Sequence, residues 1–421
     1  MRHREHESAV CASASYQHSP PAGGIAIVIY VACVAEHIHV RRFGEAFDGV
    51  VQSKPLMPKN VKRTRTANRG SKAPSIYDVA REAKVSVFTV SAVINDTGRV
   101  STTLARRVEA AVRKLNYRPN LLARSLAKQQ THTLGMVVTD IANPFFPAIV
   151  RGAEDAAQKA GYSVLLCNSD DKEDKEAVYL ELLISKRVDG IILNKTPSTL
   201  TVAQRRMLEE AKVPIVLLMR TCPGLKTDIV QTNDRLGAIE AISHLARIGH
   251  KKIAFVSGPL DVSNARARRQ GYCAALEKWG LEYLPELTFE GDYRIESGHR
   301  AGHALLPHRP DAVLVTNYLM TIGFMSAADE IGLRCPEDFA LVSFDDYPWL
   351  GCFRPRLTTI ELPKYELGDA AVRLILERIQ GKRTQPVTVN MLPQLRVRES
   401  CGFMLYPKKE AAAALHAHDK P

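Results

Sequence analysis

Polar and aromatic residues with the chemistry of a small-molecule site stand directly after short apolar runs of the sequence. Asp140–Phe146 follows one run, Ser263–Arg268 follows another, and Asp292-Tyr293, Asn317 and Asp345 come after three more. Arginine and carboxylate groups together can donate to and accept from neighbouring hydroxyls, and aromatic rings can cover the apolar face of a sugar. If the runs are buried parallel strands, ligands bind beyond their carboxyl ends. The pattern therefore predicts a site for a small polar molecule.

The sequence shows none of the common catalytic motifs. It contains no G-x-G-x-x-G after a strand, no G-x-x-x-x-G-K-[ST], no G-x-S-x-G and no H-E-x-x-H. His299 and His303 lie four residues apart on a predicted helix, but no third ligand is evident, so we interpret them as two surface histidines. We predict no enzyme, no catalytic residue, no metal and no cofactor.

The net positive charge of the 421-residue chain comes from one segment. Residues 57–133 hold 16 Lys and Arg against four acids, a net +12 that equals the formal net charge of the whole chain. A basic segment beside a neutral body is typical of a nucleic-acid-binding module joined to a second function, although a solvated basic face has the same charge. The longest apolar run, Gly23–Ala35, is too short for a membrane span of ~20 residues. Eight scattered cysteines without a Cys-x-x-Cys pair favour a cytoplasmic protein.

Three short helices are predicted in the basic segment. Ser75 is the expected N-cap of the first helix, and Ser86 and Ser101 are the expected caps of the second and third. The third helix is expected to end before Pro119, because the residue before proline disfavours helix. Two helices with a tight break and a third behind them indicate a helix-turn-helix, whose second helix enters the major groove. In that helix Val90, Val93 and Ile94 are expected to face inward, and Val87, Phe88 and Ala92 outward.

From residue 131 onward, short apolar runs alternate with amphipathic helices, which predicts buried parallel strands joined by helices. This stretch is longer than one doubly wound sheet usually needs, so we expect an α/β fold with two lobes of doubly wound parallel sheets and a cleft between them. An exported solute-binding protein shares that form. Such a protein would carry an export signal and no basic headpiece. This sequence has a basic headpiece, and its apolar run Gly23–Ala35 is a poor match to an export signal.

Several short motifs occur in a specific order and spacing. They are Ser75–Ala80, Val85–Ser91, Asn116–Asn120, Ala123–Leu126, Asn143–Phe146, Val188–Ile192, Ser343–Asp346 and Leu357–Ile360. Together they resemble the lactose/galactose/purine repressor family (LacI/GalR type) of bacterial transcription regulators. The resemblance implies a periplasmic-binding-protein-like domain behind the headpiece and a homodimer on palindromic double-stranded operator DNA, close to the nucleoid. It also implies a small-molecule effector that binds between the lobes and controls DNA affinity, with repression as the default.

The resemblance also implies a set of DNA contacts. The positions of Val87, Phe88 and Ala92 contact base edges in the family, and because all three are apolar here, we expect contacts with thymine methyl groups and reliance on DNA shape. A core aromatic is the alternative for Phe88. Lys84 stands where the family usually has glycine, so either its backbone is left-handed or the turn differs. The residues implied near phosphates are Ser75, Ser86, Thr89, Ser91, Asn95, Ser101, Tyr117 and Asn120.

A hinge helix that folds on DNA is implied for residues 120–127. Leu126 occupies the position of a leucine that enters the minor groove, where such a wedge kinks the duplex. A plain linker with a buried leucine is the alternative.

The effector residues implied by the resemblance coincide with the polar and aromatic residues that follow the strands. For two of these residues an alternative role stays open: Asp345 could be a structural turn residue, and Phe146 could be part of the core packing. Many relatives have an aspartate where this chain has Met219, which Arg220 follows. We therefore expect the ligand to be a sugar or sugar derivative, or a sugar acid bound by Arg220 and Arg268. The implied residues are Phe145, Phe146, Asn264, Arg268, Tyr293, Asn317 and Asp345.

The sequence is expected to divide into six segments. We predict an unstructured or wrongly assigned extension over 1–56, with Met57 as the natural start, because no hydrophobic period is sustained there. The tail holds too few heptad positions for a helical bundle, which favours a dimer over a tetramer. The remaining segments are a basic disordered arm over 57–74, the headpiece over 75–119, a hinge helix or linker over 120–130, the effector-binding and dimerisation domain over 131–401 and a flexible tail over 402–421.

Overall fold

The computed structural model describes residues 74–95, 97–98, 100–117, 130–197 and 199–404. The expectations for residues 1–56, the basic arm up to residue 73, the hinge with Asn120 and Leu126, and the tail from residue 405 lie outside these described residues. Within the described ranges, no helix is both long enough and apolar enough to cross a membrane.

Three helices form the headpiece, which confirms the prediction from the hydrophobic spacing. Ser75 and Asp78 cap the first helix reciprocally: Asp78 N donates to Ser75 Oγ, and Ser75 N donates to Asp78 Oδ2 at 2.9 Å. Ser101 caps the third helix by accepting a hydrogen bond from Leu104 N at 3.5 Å. The helices are α1 (Ile76–Ala83), α2 (Val87–Asn95) and α3 (Thr102–Leu115).

The turn between α1 and α2 has left-handed backbone without glycine. Lys84 ends α1 with φ 52°, and its amide donates to the carbonyls of the last turn of the helix. The strain of that backbone costs an L-residue about 1–2 kcal/mol. The packing of Val79, Val90 and Val108, each fully buried, offsets this cost and fixes the tight turn.

Residues 130–404 form two lobes around two six-stranded sheets. Lobe 1 contains β1 (Thr133–Val138), α4 (Phe145–Lys159), β2 (Ser163–Asn168), α5 (Glu173–Ser185), β3 (Gly190–Leu193), α6 (Val202–Ala211), β4 (Ile215–Leu218) and β5 (Asp228–Thr232). Lobe 2 contains α7 (Asp234–Arg247), β6 (Ile253–Ser257), α8 (Ser263–Lys278), β7 (Thr288–Glu290), α9 (Ile295–Leu305), β8 (Ala312–Val315), α10 (Tyr318–Ile331), β9 (Ala340–Phe344) and β10 (Thr358–Glu361). The chain then adds α11 (Lys364–Ile379) and β11 (Thr388–Met391) to lobe 1 and β12 (Gln394–Arg396) to lobe 2.

Both sheets are doubly wound and parallel-dominated, which confirms the predicted fold class. The strand orders are β11-β5-β4-β3-β1-β2 in lobe 1 and β12-β10-β9-β8-β6-β7 in lobe 2. The edge pair β10–β12 is antiparallel, unlike the other pairs within the described ranges. The continuous apolar runs of the central strands are almost fully buried, because helices cover both faces of each sheet.

The chain passes between the lobes three times, after β5, after β10 and after β11. Arg378 holds α11, where the chain is back in lobe 1, against the start of β5. Its Nε lies 2.7 Å from Oδ2 of Asp228, which is fully buried. Val387 N, just before β11, donates to Asp228 Oδ1 at 2.8 Å. One carboxylate thus joins a helix and two strands that lie far apart in sequence.

Glycines let α11 lie directly on α4. A Cβ on Gly368 would lie 1.9 Å from Ile149 O, and a Cβ on Gly152 would lie 2.0 Å from Tyr365 O. The two helix backbones therefore touch at both points, where any larger residue would push them apart.

Candidate functional site

A cavity of about 400 Å³ lies between the lobes, beyond the carboxyl ends of the strands. Residues that follow β1, β2, β3 and β4 form its lobe 1 side, and residues that follow β6, β7, β8 and β9 form its lobe 2 side. The structure thus brings together all seven side chains that the sequence singles out. They are Phe145, Phe146, Asn264, Arg268, Tyr293, Asn317 and Asp345.

Arg268 on α8 is held by a carboxylate that sequence reasoning missed. Its Nε lies 2.7 Å and its Nη2 lies 2.6 Å from Asp234 Oδ1, and both side chains are almost fully buried. Arg268 Nη1 donates to Thr316 O, and the guanidinium lies 4.2 Å from the centroid of the Phe344 ring. Burial raises the pKa of Asp234, although Arg268 opposes this change. The guanidinium is therefore fixed in orientation before any ligand arrives.

Asp345 has a carboxylate oxygen that no neighbour satisfies. Its Oδ1 is buried and has no hydrogen-bond partner among the residues that the structure describes. Burial raises the pKa of this carboxyl, and the positive charges of Lys364 and Arg268 work against that change. The backbone of Asp345 is left-handed, with φ 72°, and such strain is typical of functional sites. Asp345 N donates to Ile360 O at 3.0 Å, so a turn role and a ligand role are compatible.

Tyr293 and Asn317 are linked in the wall opposite lobe 1. Asn317 caps α10 by accepting from Met320 N at 2.8 Å, and its Nδ2 donates to Tyr293 O at 3.1 Å. Tyr293 has φ 66°, and its ring packs so closely on Gly258 that a Cβ there would lie 2.0 Å from Tyr293 Cζ. Its hydroxyl is buried without a hydrogen-bond partner in the described part of the chain, and burial raises its pKa to about 12.

Phe145 and Phe146 start α4 and meet edge to face, with ring centroids 5.3 Å apart. Both are buried, and both also line the cavity. Phe146 therefore packs in the core and also forms part of the cavity wall. Asn264, at the start of α8, uses its Oδ1 to accept from Ala265 N at 2.9 Å.

Arg220 is neutralised within lobe 1. Its Nη1 and Nη2 lie 2.7 Å and 3.2 Å from the two carboxylate oxygens of Asp171, and its Nη1 also donates to Lys195 O at 3.0 Å. Met219 before it has left-handed backbone, φ 62°. Sequence reasoning missed Asp170, Asp171 and Asn194 in this wall, although the rule about carboxyl strand ends would have found them after β2 and β3.

The headpiece exposes one large apolar side chain on α2. Phe88 is 83% exposed, so the alternative of a core aromatic is wrong. Ala92 is 6% exposed, and the expectation that it faces outward is also wrong: a Cβ on Gly98, in the following loop, would contact the Ala92 methyl at 3.5 Å. Val87 is half-buried and packs against the headpiece core.

Most residues implied near phosphates carry short polar groups that hydrogen-bond locally. Ser86 Oγ accepts from Thr89 N at 3.1 Å, as the predicted cap of α2 requires. Asn95 Nδ2 donates to Ser91 O at 2.9 Å, so its side chain folds back on α2. Tyr117 is half-buried and packs against the headpiece core.

Comparison with known proteins agrees with this architecture. The family described as bacterial regulatory proteins, lacI family, matches residues 75–120, and a periplasmic binding protein-like domain matches residues 242–401. The ribose operon repressor of Escherichia coli strain K12 is 39% identical over 328 residues, which cover 77% of this chain and 99% of that repressor. The chain belongs to the LacI family.

Solved structures of LacI-family proteins have the same fold. A lac repressor dimer bound to operator and the anti-inducer ONPF matches with a TM-score of 0.70 and 30% identity, covering 78% of this chain and 99% of that one. A LacI-family regulator from Enterococcus faecium with bound ribose matches with a TM-score of 0.57 and 29% identity, covering 64% and 98%. These relatives are regulators of transcription and not enzymes.

Proposed function

We propose that this chain is a transcriptional repressor that binds a palindromic operator as a homodimer and responds to a neutral sugar bound between its lobes. The observation that carries the proposal is the unsatisfied Oδ1 of Asp345, beside an arginine that is already oriented by Asp234. A sugar hydroxyl supplies the donor that Asp345 lacks, and its oxygen accepts from the guanidinium. Phe145, Phe146 and Tyr293 supply apolar faces for the ring, while Asn264 and Asn317 add amide groups.

The charges of the cavity favour a neutral sugar over a sugar acid. Two of the three arginines in the wall already have carboxylate partners, Asp234 for Arg268 and Asp171 for Arg220. The lining as a whole has five aspartates against four basic residues, so an anion would meet no surplus of positive charge. Ribose is the first sugar to test, because a ribose operon repressor and a ribose-bound regulator are among the relatives.

The headpiece supplies the DNA-binding half of the proposal. Exposed Phe88 is the candidate for base contact, and Val87 and Ala92 are secondary because their side chains are largely covered. For residues 120–130 we propose a hinge in which Asn120 lies near phosphates and Leu126 enters the minor groove. The phosphate-contacting set otherwise stays as the resemblance implies, namely Ser75, Ser86, Thr89, Ser91, Asn95, Ser101 and Tyr117.

Exposed apolar residues on lobe 2 support the homodimer. Ile295 on α9 and Ile322 and Ile331 on α10 are each about 40% exposed, although aliphatic side chains of that size are usually buried. A second copy of the chain would cover them, and two headpieces would then read two half-sites of an operator.

The test is selection of DNA from a random library by the full chain, followed by anisotropy titration with ribose and with its aldonic acid. We expect an inverted repeat, binding that weakens steeply as salt rises, and an affinity that ribose changes. Sedimentation of the complex should give two chains per site. Recovery of no sequence, with or without sugars, would overturn the proposal. A response to the acid alone would overturn the assignment of a neutral sugar.

A further inference from the structure

Two histidines and a glutamate form a compact cluster on the outside of lobe 2. His299 and His303 lie one turn apart on α9, and Glu330 reaches them from α10. His299 Nε2 and His303 Nε2 lie 2.8 Å and 3.0 Å from the same oxygen, Glu330 Oε2. The ligand atoms of the three residues all lie within 4.8 Å of one another. The fold thus places a carboxylate, the possible third ligand that is not evident in the sequence, beside the two surface histidines.

The two helices that carry the cluster are held at a fixed separation. A Cβ on Gly323 of α10 would lie 1.9 Å from Ile295 O, and a Cβ on Gly298 of α9 would lie 2.0 Å from Met320 O. The two helix backbones are in contact at these points. This contact fixes the distance between the Cα atoms of the two histidines and the Cα atom of Glu330. Ligands held by rigid elements are what a metal site requires.

We propose that His299, His303 and Glu330 bind a divalent transition metal ion of the zinc type. Imidazole nitrogen and carboxylate oxygen are both ligands of Zn²⁺, at about 2.0–2.2 Å from the ion. Two histidines at i and i+4 on one helix face are a known arrangement for zinc, and the carboxylate from the second helix completes three protein ligands. In the single chain all three side chains are at least one-third exposed, so a fourth position is open to water.

Two of the three separations between ligand atoms are close to those of a loaded site. Tetrahedral coordination at these bond lengths separates neighbouring ligand atoms by about 3.3 Å, and the two nitrogen–oxygen distances here are 2.8 Å and 3.0 Å. Side chains that are exposed to solvent can open by a few tenths of an ångström without moving the helices. None of the three residues lines the cavity between the lobes, so this site is separate from the effector site.

The test is calorimetric titration of the metal-free full chain with Zn²⁺ at pH 7.5, compared across single variants. His303→Ala removes one ligand and Glu330→Gln removes another from the opposite helix without changing its size. His308→Ala is the matched control, because it removes an exposed histidine of the same lobe that is outside the cluster. Zinc can also bind histidines elsewhere in the chain. The test therefore depends on the difference in zinc stoichiometry and affinity between the variants. Co²⁺ in place of Zn²⁺ gives a second readout through its visible absorption.

We expect wild type and His308→Ala to bind one more equivalent of Zn²⁺ than His303→Ala. Glu330→Gln should weaken that equivalent by at least about tenfold, because loss of even an outer hydrogen-bond partner of a metal ligand weakens binding ~10- to 100-fold. The Co²⁺ spectrum should change in the same two variants. Equal stoichiometry and affinity in all four proteins would overturn the proposal, as would an equal loss in His303→Ala and His308→Ala.

Discussion

Asp234 fixes Arg268 from behind the cavity, with Arg268 Nε 2.7 Å from Asp234 Oδ1 and both side chains almost fully buried. We expect Asp234→Ala to lower the free energy of unfolding by about 3–5 kcal/mol, because it leaves a buried guanidinium without its counter-ion. Urea denaturation measures this loss. In the double variant Asp234→Ala/Arg268→Met much of the stability should return, but sugar binding should not. A double variant as unstable as the single one would show that the ion pair is not the cause.

We expect Asp345 to make the proposed sugar affinity depend on pH. Burial raises its pKa, with Lys364 and Arg268 opposing and Asp234 reinforcing the change. A sugar hydroxyl that donates to the carboxylate favours the charged form, so the sugar competes with the proton. Affinity should therefore fall as pH is lowered through a range above the ordinary aspartate pKa of ~3.9. Asp345→Asn should weaken binding by about 1.5–3 kcal/mol at pH 7 and remove most of this pH dependence. Calorimetry from pH 7.5 to pH 5 measures both, and an unchanged pH profile in Asp345→Asn would assign it to another group.

Phe88 should contribute to operator binding without contributing to stability. Because it is 83% exposed, we expect Phe88→Ala to leave the free energy of unfolding unchanged within ~0.5 kcal/mol. Loss of an apolar contact with DNA should weaken operator binding by about 1–2 kcal/mol. The slope of log affinity against log salt should stay the same, because no phosphate contact is lost. Val178→Ala, at an exposed position of α5, is the control. A changed salt slope would place Phe88 at the DNA backbone.

His244 makes the folded state sensitive to mild acid. Burial lowers its pKa to about 4, and its Nε2 lies 3.3 Å from Cys401 Sγ. In the unfolded chain a histidine titrates near ~6.5, so between these values the unfolded state binds one more proton. The free energy of unfolding should therefore decrease by about 3 kcal/mol as pH falls from 7 to 4. Urea titrations should show this part of the decrease missing in His244→Gln and intact in the exposed variant His308→Gln.

Gly368 permits the contact between α4 and α11. In Gly368→Ala the new Cβ would lie 1.9 Å from Ile149 O, a backbone atom that cannot move aside alone. We expect a loss of at least about 1–3 kcal/mol in unfolding free energy. Gly351→Ala is the matched control, because a Cβ there meets nothing within 4 Å. Equal stability of the two variants would mean that the helices can separate without cost.

Fold prediction succeeded where strands are buried on both faces. The runs of β1, β3, β4, β6, β8 and β9 are continuous and apolar, which is the pattern of a central parallel strand. β5 alternates between buried and half-buried residues, and β11 and β12 are short edge strands with exposed positions. These strands depend on contacts with parts of the chain that are distant in sequence, of which the ion pair between Arg378 and Asp228 is an example. No local pattern in the sequence carries that information.

Sequence reasoning identified side chains that line the cavity and missed the groups that hold them in place. The rule about carboxyl strand ends identifies Arg268 and Asp345 without a structure. Asp234 is missed because the strand that it follows, β5, has no continuous apolar run in the sequence. Its contact with Arg268 also joins residues 34 positions apart. Sequence reasoning also missed the burial of Ala92, which depends on the loop that holds Gly98, and the approach of Glu330 to His299 from a neighbouring helix.

The chain passes between the lobes three times, and these passages determine when each sheet can be completed during synthesis. β11 pairs with β5, so Ile229 cannot pair with Thr388 until almost all of lobe 2 has been synthesised. Neither lobe can complete its sheet from its own contiguous stretch of chain, because the edge strands β11 and β12 both follow α11. A premature stop codon before Thr388 therefore leaves two unfinished sheets instead of one intact lobe and one missing lobe, and the exposed strand edges make that fragment a target for chaperones and proteases.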